Sequence, residues 1–293
     1  MGRDKAAESC RSTNNCGCLS SKSKIPSLFN NIGLGLPCCS PVEEALGALT
    51  KHLYQRTSKL SKIITACHNE SLHQHYKNYQ QANHSICCFC GSAELSQFRH
   101  GIDTKNQWRS DFDHLLAQKH YPLYAVHPDN LVPTCGICNS KAKHEDDLLA
   151  SSGKRRRSFY PYSECACSFV SMSIRADELG LSIDVLFDPA QNEKLKTWDN
   201  VYHIRERVQG KFKNLVTIVA SDCAPDDLAD LKNQISRKCR PESLKPTAEP
   251  WNIWKKYVYQ WLDAHSADPV IELLWESIEA KRRDEDCQDT FGV

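Results

Sequence analysis

The stretch "DFDHLLAQKHYPLYAVHPDNLVPTCGICNSK", residues 111–141, holds most of the residue types that carry chemistry in this chain. An Asp-His pair at positions 113–114 precedes Cys135 by about twenty residues, and Cys138 follows three places later. An asparagine, Asn139, comes directly after the second cysteine. Two interpretations follow from this spacing: a zinc knuckle alone, or a zinc knuckle that holds a catalytic site in place.

The composition of the 293 residues is typical of a soluble globular protein, with 40% hydrophobic and 25% charged residues. No run approaches the roughly 18 apolar residues of a membrane helix. The polar N-terminus lacks the apolar segment of a secretory signal, so we expect a cytoplasmic protein without membrane association. The net charge of +1 implies that any nucleic-acid-binding surface must be local.

Sixteen cysteines in a chain of this length, several of them in C-x-x-C pairs, indicate reduced thiolates and metal rather than a disulfide scaffold. Cys87 and Cys90 form one pair, and Cys135 and Cys138 form another. Two such knuckles complete the tetrahedral shell of a structural Zn²⁺, and a closed shell of four thiolates leaves no open position for catalysis. Cys88 adjoins Cys87 and stays open as a substitute ligand.

Four residues, in order and with suitable gaps, resemble the motif of the HNH endonuclease family: Asp113, His114, Asn130 and Asn139. The flanking "NLVPTCGICNSK" is similar to that family's N-L-x-x-x-C-x-x-C-[HN]-x-x-K pattern, with the lysine one place early at Lys141. The resemblance covers residues 84–145 and implies a ββα-metal fold. In that fold the Asp-His lies on the first strand, the first asparagine beside the second strand, and the last motif residue on the following helix.

The resemblance also implies a role for each motif residue. His114 is the general base, and Asn130 braces the loop that orients it. Asp113 and Asn139 are ligands of a catalytic divalent cation, which an oxygen-rich ligand set favours as Mg²⁺ or Mn²⁺. The chemistry agrees, because phosphodiester hydrolysis needs a base near neutral pKa and a cation that neutralises charge in the transition state.

The segment 84–150 carries six Lys or Arg and eight Asp or Glu, a formal charge of −2, so it supplies little attraction for DNA by itself. We expect phosphate contacts from basic residues at its C-terminal end and just beyond it: Lys141, Lys143, Lys154, Arg155, Arg156 and Arg157. A solvated loop is the alternative for the last four.

The predicted fold class is α+β, a mainly helical chain with a small zinc-stapled ββα-metal (HNH) core. Four segments are expected: a polar tail (1–40), an N-terminal helical segment (41–83), the HNH nuclease core (84–150), and a hairpin plus helical region (151–293) that positions DNA or docks a partner. Five cysteines of the tail fit no zinc pattern: Cys10, Cys16, Cys18, Cys38 and Cys39.

The leading hypothesis is a metal-dependent HNH DNA endonuclease. The segment "HYPLYA", 120–125, is similar to a bacterial subgroup of the family that includes effectors of anti-phage defence, although Gln118 stands where that subgroup has lysine. A regulatory ATPase or sensor protein of the same system is then an expected partner. Two alternatives stay open: a non-catalytic zinc-dependent module for nucleic-acid binding or assembly, and an RNA-directed nuclease.

Overall fold

A computed structural model of the chain describes residues 40–56, 72–83, 85–97, 99–103, 106–177 and 180–291. The five cysteines of the predicted tail lie outside these residues, as does the middle of the predicted 41–83 helical segment. About half of the described residues are helical, and their strands form three small antiparallel sheets, which confirms the α+β class. None of the described helices combines the length and apolar character needed to cross a bilayer.

The chain divides into two compact units. The first comprises the described residues up to Phe169 together with Pro189–His203, and the remainder form the second. The boundary between the two units therefore falls after Phe169. The intervening segment belongs to the first unit because it is bonded there; for example, the Tyr160 hydroxyl donates to the Asp129 carbonyl oxygen at 3.2 Å.

Two helices open the described part of the first unit, α1 (Ser40–Arg56) and α2 (Leu72–Asn83). The aromatic side of α2 packs on a small apolar cluster in which Tyr76 meets Phe112 edge to face, with ring centroids 6.2 Å apart. The Tyr76 hydroxyl also donates to the Ser96 carbonyl oxygen at 2.6 Å. This helix therefore supports the strand that begins at Phe112.

The hairpin at the centre of the first unit joins β1 (Phe112–His114) to β2 (Leu131–Pro133) in antiparallel register, with Asp113 opposite Val132. A π-helix (Ile137–Lys143) follows directly. Two further short strands, β3 (Ala150–Ser151) and β4 (Lys154–Arg155), form a second hairpin.

Helix α3 (Asn192–Tyr202) completes the first unit and is anchored on the first cysteine knuckle. The indole N–H of Trp198 donates to the Phe89 carbonyl oxygen at 2.7 Å, and the rings of Phe89 and Tyr202 stack with centroids 4.5 Å apart. The helix thus contacts both the backbone carbonyl and the ring of Phe89 in the knuckle.

The second unit combines one hairpin with helices. Its elements are β5 (Val170–Asp177), β6 (Gly180–Phe187), α4 (Ile204–Phe212), α5 (Leu215–Cys223), α6 (Leu228–Lys238), α7 (Asn252–Ala264) and α8 (Pro269–Phe291). Buried residues alternate along the strands, as at Met172 and Ile174, because successive side chains point to opposite faces. Helix α4 packs against β6, and α7 packs against β5.

Candidate active site

Four cysteine sulfur atoms meet beside the β1–β2 hairpin. The Sγ atoms of Cys87, Cys90, Cys135 and Cys138 all lie within 4.8 Å of one another, and all four residues are buried. The Sγ atoms of Cys90 and Cys135 are 3.9 Å apart. Zn–S bonds of about 2.3 Å place tetrahedral sulfur ligands about 3.8 Å apart, so the cluster can hold a zinc ion.

The backbone of the first knuckle selects Cys87 rather than its neighbour as the fourth thiol. Gly91 has a positive φ of 61°, which glycine adopts without steric cost, and its N–H donates to the Cys87 carbonyl oxygen at 2.9 Å. This turn directs Cys87 and Cys90 to the same point. Cys88 lies outside the cluster, and burial raises its pKa to about 12.

We predict that Cys87→Ser loses bound zinc while Cys88→Ser keeps it. The structural reason is that only Cys87 contributes its sulfur to the cluster, and a three-thiolate remnant binds zinc far more weakly. Elemental analysis of the purified variants measures the metal, and thermal unfolding measures its contribution to stability. Loss of zinc from Cys88→Ser with retention in Cys87→Ser would reverse the assignment.

The imidazole of His114 projects from the end of β1 and is fixed by its surroundings. Its ring hydrogen-bonds the backbone of Ala125, a residue of the loop between the two strands. Burial lowers the pKa of His114, partly opposed by the nearby Asp113 carboxylate and the Ala125 contact. The ring is therefore held in one orientation and favours the neutral form.

Asn130 organises the loop that carries Ala125. The Asn130 side chain is fully buried, and its Oδ1 accepts from the Leu116 N–H at 2.7 Å. Its Nδ2 donates to the carbonyl oxygens of Leu116 at 3.1 Å and Tyr124 at 3.0 Å. The Asn130 amide thus bonds to the loop at two places, Leu116 and Tyr124. The backbone of Ala125, next to Tyr124, contacts the ring of His114.

Asp113 is buried beside a lysine that the sequence did not connect with it. Its Oδ1 lies 2.8 Å from the Nζ of Lys143, and the two side chains are 3% and 1% exposed. The same ammonium donates to the His114 carbonyl oxygen at 2.7 Å. The other carboxylate oxygen, Oδ2, is buried and has no hydrogen-bond partner among the described residues.

The π-helix carries both Asn139 and Lys143 to the cavity. The His144 N–H donates to the Asn139 carbonyl oxygen at 3.0 Å, a spacing of five residues that is wider than in an α-helix. Asn139 and Lys143 are four positions apart, so they share one face of the helix and line the same cavity. Lys141, on the same helix, is exposed.

One cavity of about 640 Å³ collects the motif side chains. Asp113, His114, Asn139 and Lys143 line it, whereas Asn130 supports it from behind. Helix α1 supplies the facing wall through residues outside the predicted motif: Glu44, Gly47 and Lys51. The carboxamide of Gln118 joins the two walls, because its Nε2 donates to the Gly47 carbonyl oxygen at 3.3 Å. No spacing rule relates α1 to a motif more than sixty residues away.

The six basic residues expected to contact phosphate have different environments. Lys141, Lys154, Arg155 and Arg157 are exposed, as such a role requires. Lys143 is buried in its ion pair with Asp113 and lines the cavity, so a phosphate contact by Lys143 stays a prediction and would have to occur inside the cavity. The guanidinium of Arg156 donates to the Asp147 carbonyl oxygen and is half-buried, so it holds the loop that precedes β3.

No protein-family model, curated protein or solved structure matches this chain. The functional assignment therefore depends on the geometry of the cavity and of the thiol cluster.

We predict that Lys143→Met lowers the free energy of unfolding by about 3–5 kcal/mol, because it leaves the Asp113 carboxylate buried without its counter-charge. Lys141→Met is the matched control on the same helix and should change stability by less than about 0.5 kcal/mol. Urea unfolding measures both. The double variant Asp113→Asn with Lys143→Met should recover part of the loss, since no buried charge remains. Equal stability of the two lysine variants would contradict the structural role of the pair.

Proposed function

We propose that the chain is a metal-dependent endonuclease of the HNH type that hydrolyses phosphodiester bonds in DNA. One observation supports the proposal most strongly: Asp113, His114 and Asn139 line a single cavity beside a four-thiol cluster. A structural zinc site alone does not require a histidine, a carboxylate and an amide to share a cavity. The thiol cluster then serves as scaffold, and the cavity as the place of reaction.

His114 is the general base in this proposal. Its lowered pKa favours the neutral imidazole, which is the form that takes a proton from water. The imidazole takes a proton from the attacking water, whose oxygen bonds to phosphorus as the bond to the 3′ oxygen breaks. The products carry 5′-phosphate and 3′-hydroxyl ends.

Asp113 and Asn139 fit the ligand set of an oxygen-preferring divalent cation. A carboxylate oxygen and an amide carbonyl oxygen are hard ligands, and Asp113 Oδ2 is buried with no partner among the described residues. Bound Mg²⁺ or Mn²⁺ supplies charge neutralisation of the phosphate and of the departing oxygen. Lys143 holds the other oxygen of Asp113 and so fixes the carboxylate against rotation.

The wider setting belongs to the same proposal. The enzyme acts in the cytoplasm as an effector of bacterial anti-phage defence, and an ATPase or sensor protein of the same system controls it. The resemblance of residues 120–125 to a defence-associated subgroup supports this setting.

We predict that the zinc-loaded protein cuts plasmid DNA with Mg²⁺ or Mn²⁺, and that His114→Ala lowers the rate by about 100-fold or more, since general-base catalysis contributes factors of about 10² to 10⁴. His120→Ala is the matched control, because His120 is exposed and does not line the cavity. Initial rates from gels measure all three proteins. Equal cutting by the wild type and His114→Ala would remove His114 as the base.

A second candidate is a zinc-dependent nucleic-acid-binding or assembly module without catalysis. The observation that favours it is the Lys143 ammonium, which already neutralises the Asp113 carboxylate and leaves less charge for a divalent ion. An RNA-directed nuclease would use the same cavity, which does not distinguish the two nucleic acids.

Direct cation binding separates catalysis from the second candidate even when cutting requires an absent partner. We predict that Mn²⁺ binds the zinc-loaded protein, as measured by calorimetry, and that Asp113→Asn weakens this binding at least tenfold while retaining zinc. The reason is that the substitution removes the only carboxylate of the proposed ligand pair. Mn²⁺ binding that is absent, or unaffected by Asp113→Asn, would favour the non-catalytic module.

A further inference from the structure

The segment ahead of β1 displays the most exposed large hydrophobic residue among those described, Trp108, which is 65% exposed. Side-chain hydrogen bonds connect its described residues. The Gln107 side chain accepts from the Arg99 N–H at 2.8 Å, and its amide donates to the Arg99 carbonyl oxygen at 2.7 Å. The Asn106 amide donates to Asp103 Oδ2 at 2.9 Å. The structure therefore presents the indole on a firm support and does not bury it.

A guanidinium covers one face of this indole. The Cζ atom of Arg99 lies 4.0 Å from the centre of the Trp108 ring, within the range of a cation–π contact. The Arg99 guanidinium also donates to the Asn106 carbonyl oxygen, so the arginine is anchored to the loop. The Arg99 guanidinium thus covers one face of the indole, and the exposed surface of the ring remains available for a flat partner.

Positive charge lies on the indole and next to it in the chain. Arg109 follows Trp108 and is exposed, and its charge acts on His73 of α2, as does the charge of Lys77. Burial lowers the pKa of His73, and the charges of Arg109 and Lys77 lower it further. The loop also holds two acidic residues: Asp103, which is bonded to Asn106, and Asp111, which is exposed. We call Trp108, Arg99, Arg109 and Lys77 the Trp108 patch.

Two basic residues expected to contact phosphate are engaged elsewhere. Lys143 is paired with Asp113, and Arg156 is bonded to the Asp147 backbone. The Trp108 patch offers positive charge in the same unit. Its Arg109 is exposed and is not engaged in a contact of this kind with the described residues. It also lies near the cavity, since the five residues from Trp108 to Asp113 span at most about 18 Å.

We propose that the Trp108 patch binds single-stranded nucleic acid, with a base stacked on the indole and phosphates beside Arg109 and Lys77. This inference rests on the proposed function, because it names a locally unpaired strand as the part of that DNA substrate that is held near the cavity. Stacking on an aromatic face together with a basic surface is the means by which proteins hold unpaired strands without reading their sequence. Paired bases inside a duplex present no free face to the indole, so the patch selects an unpaired strand.

Fluorescence anisotropy with labelled 20-nucleotide oligo(dT), oligo(U) and a 20-base-pair duplex tests the proposal, with no divalent cation added so that nothing is cut. We expect the zinc-loaded protein to bind oligo(dT) more tightly than the duplex. Trp108→Ala should weaken this binding about 5- to 150-fold, the range for loss of one stacked base. Trp108→Phe should remain within about threefold, because it keeps an aromatic face.

Two control variants from elsewhere in the chain match the apolar and the positively charged side chains of the patch. Leu186→Ala removes another exposed apolar side chain, and Lys213→Ala removes another exposed positive charge. Both should bind like the wild type, whereas Arg109→Ala should bind more weakly and with a smaller salt dependence. Zinc content and thermal unfolding establish that each variant is folded.

The outcomes separate this inference from the proposed function. Unchanged oligonucleotide binding by folded Trp108→Ala, or a preference for the duplex, overturns the inference even if plasmid is cut. Trp108-dependent binding by a protein that neither cuts DNA nor binds Mn²⁺ through Asp113 supports the inference and counts against the nuclease. Trp108-dependent binding of oligo(U) alone supports single-stranded recognition and assigns the substrate as RNA.

Discussion

The convergence of four buried thiols is the constraint on which the first unit depends. Cys87 and Cys90 come from one turn, whereas Cys135 and Cys138 flank the start of the π-helix, with 44 residues between Cys90 and Cys135. Short strands of three residues bury too little apolar surface to fix a hairpin by themselves. A metal held by all four sulfurs would join both ends of this segment and convert binding energy into folding energy.

A second constraint concerns the surroundings of the Asp113 carboxylate, to which the π-helix supplies two side chains. Asn139 brings an amide oxygen to the cavity, and Lys143 brings an ammonium to Asp113. The buried pair is costly to desolvate, so its value lies in fixing the geometry of the carboxylate more than in adding stability. Lys143 holds one carboxylate oxygen of Asp113, and the other oxygen has no hydrogen-bond partner among the described residues. This arrangement suits a cation that binds again in each round of catalysis.

Local patterns predicted much of this arrangement, and non-local packing determined the rest. The C-x-x-C pairs predicted the thiol cluster because each knuckle is specified by its own turn, and alternation predicted the β5–β6 hairpin. The pairing of Lys143 with Asp113 joins residues 30 positions apart, and charge patterns along the sequence do not encode such a contact. Likewise, α1 reaches the cavity through Gln118, a contact that only the folded chain creates.

The central claim is that one stretch of sequence serves two metals, zinc at the thiols and a hydrated cation at Asp113 and Asn139. Anomalous X-ray scattering from crystals grown with zinc and soaked in Mn²⁺ tests it most directly, because the two elements are distinguished at their absorption edges. We predict a zinc peak among the four sulfurs and a manganese peak in the cavity beside Asp113 Oδ2. A zinc peak with no manganese in the cavity, and Lys143 still paired with Asp113, would contradict it.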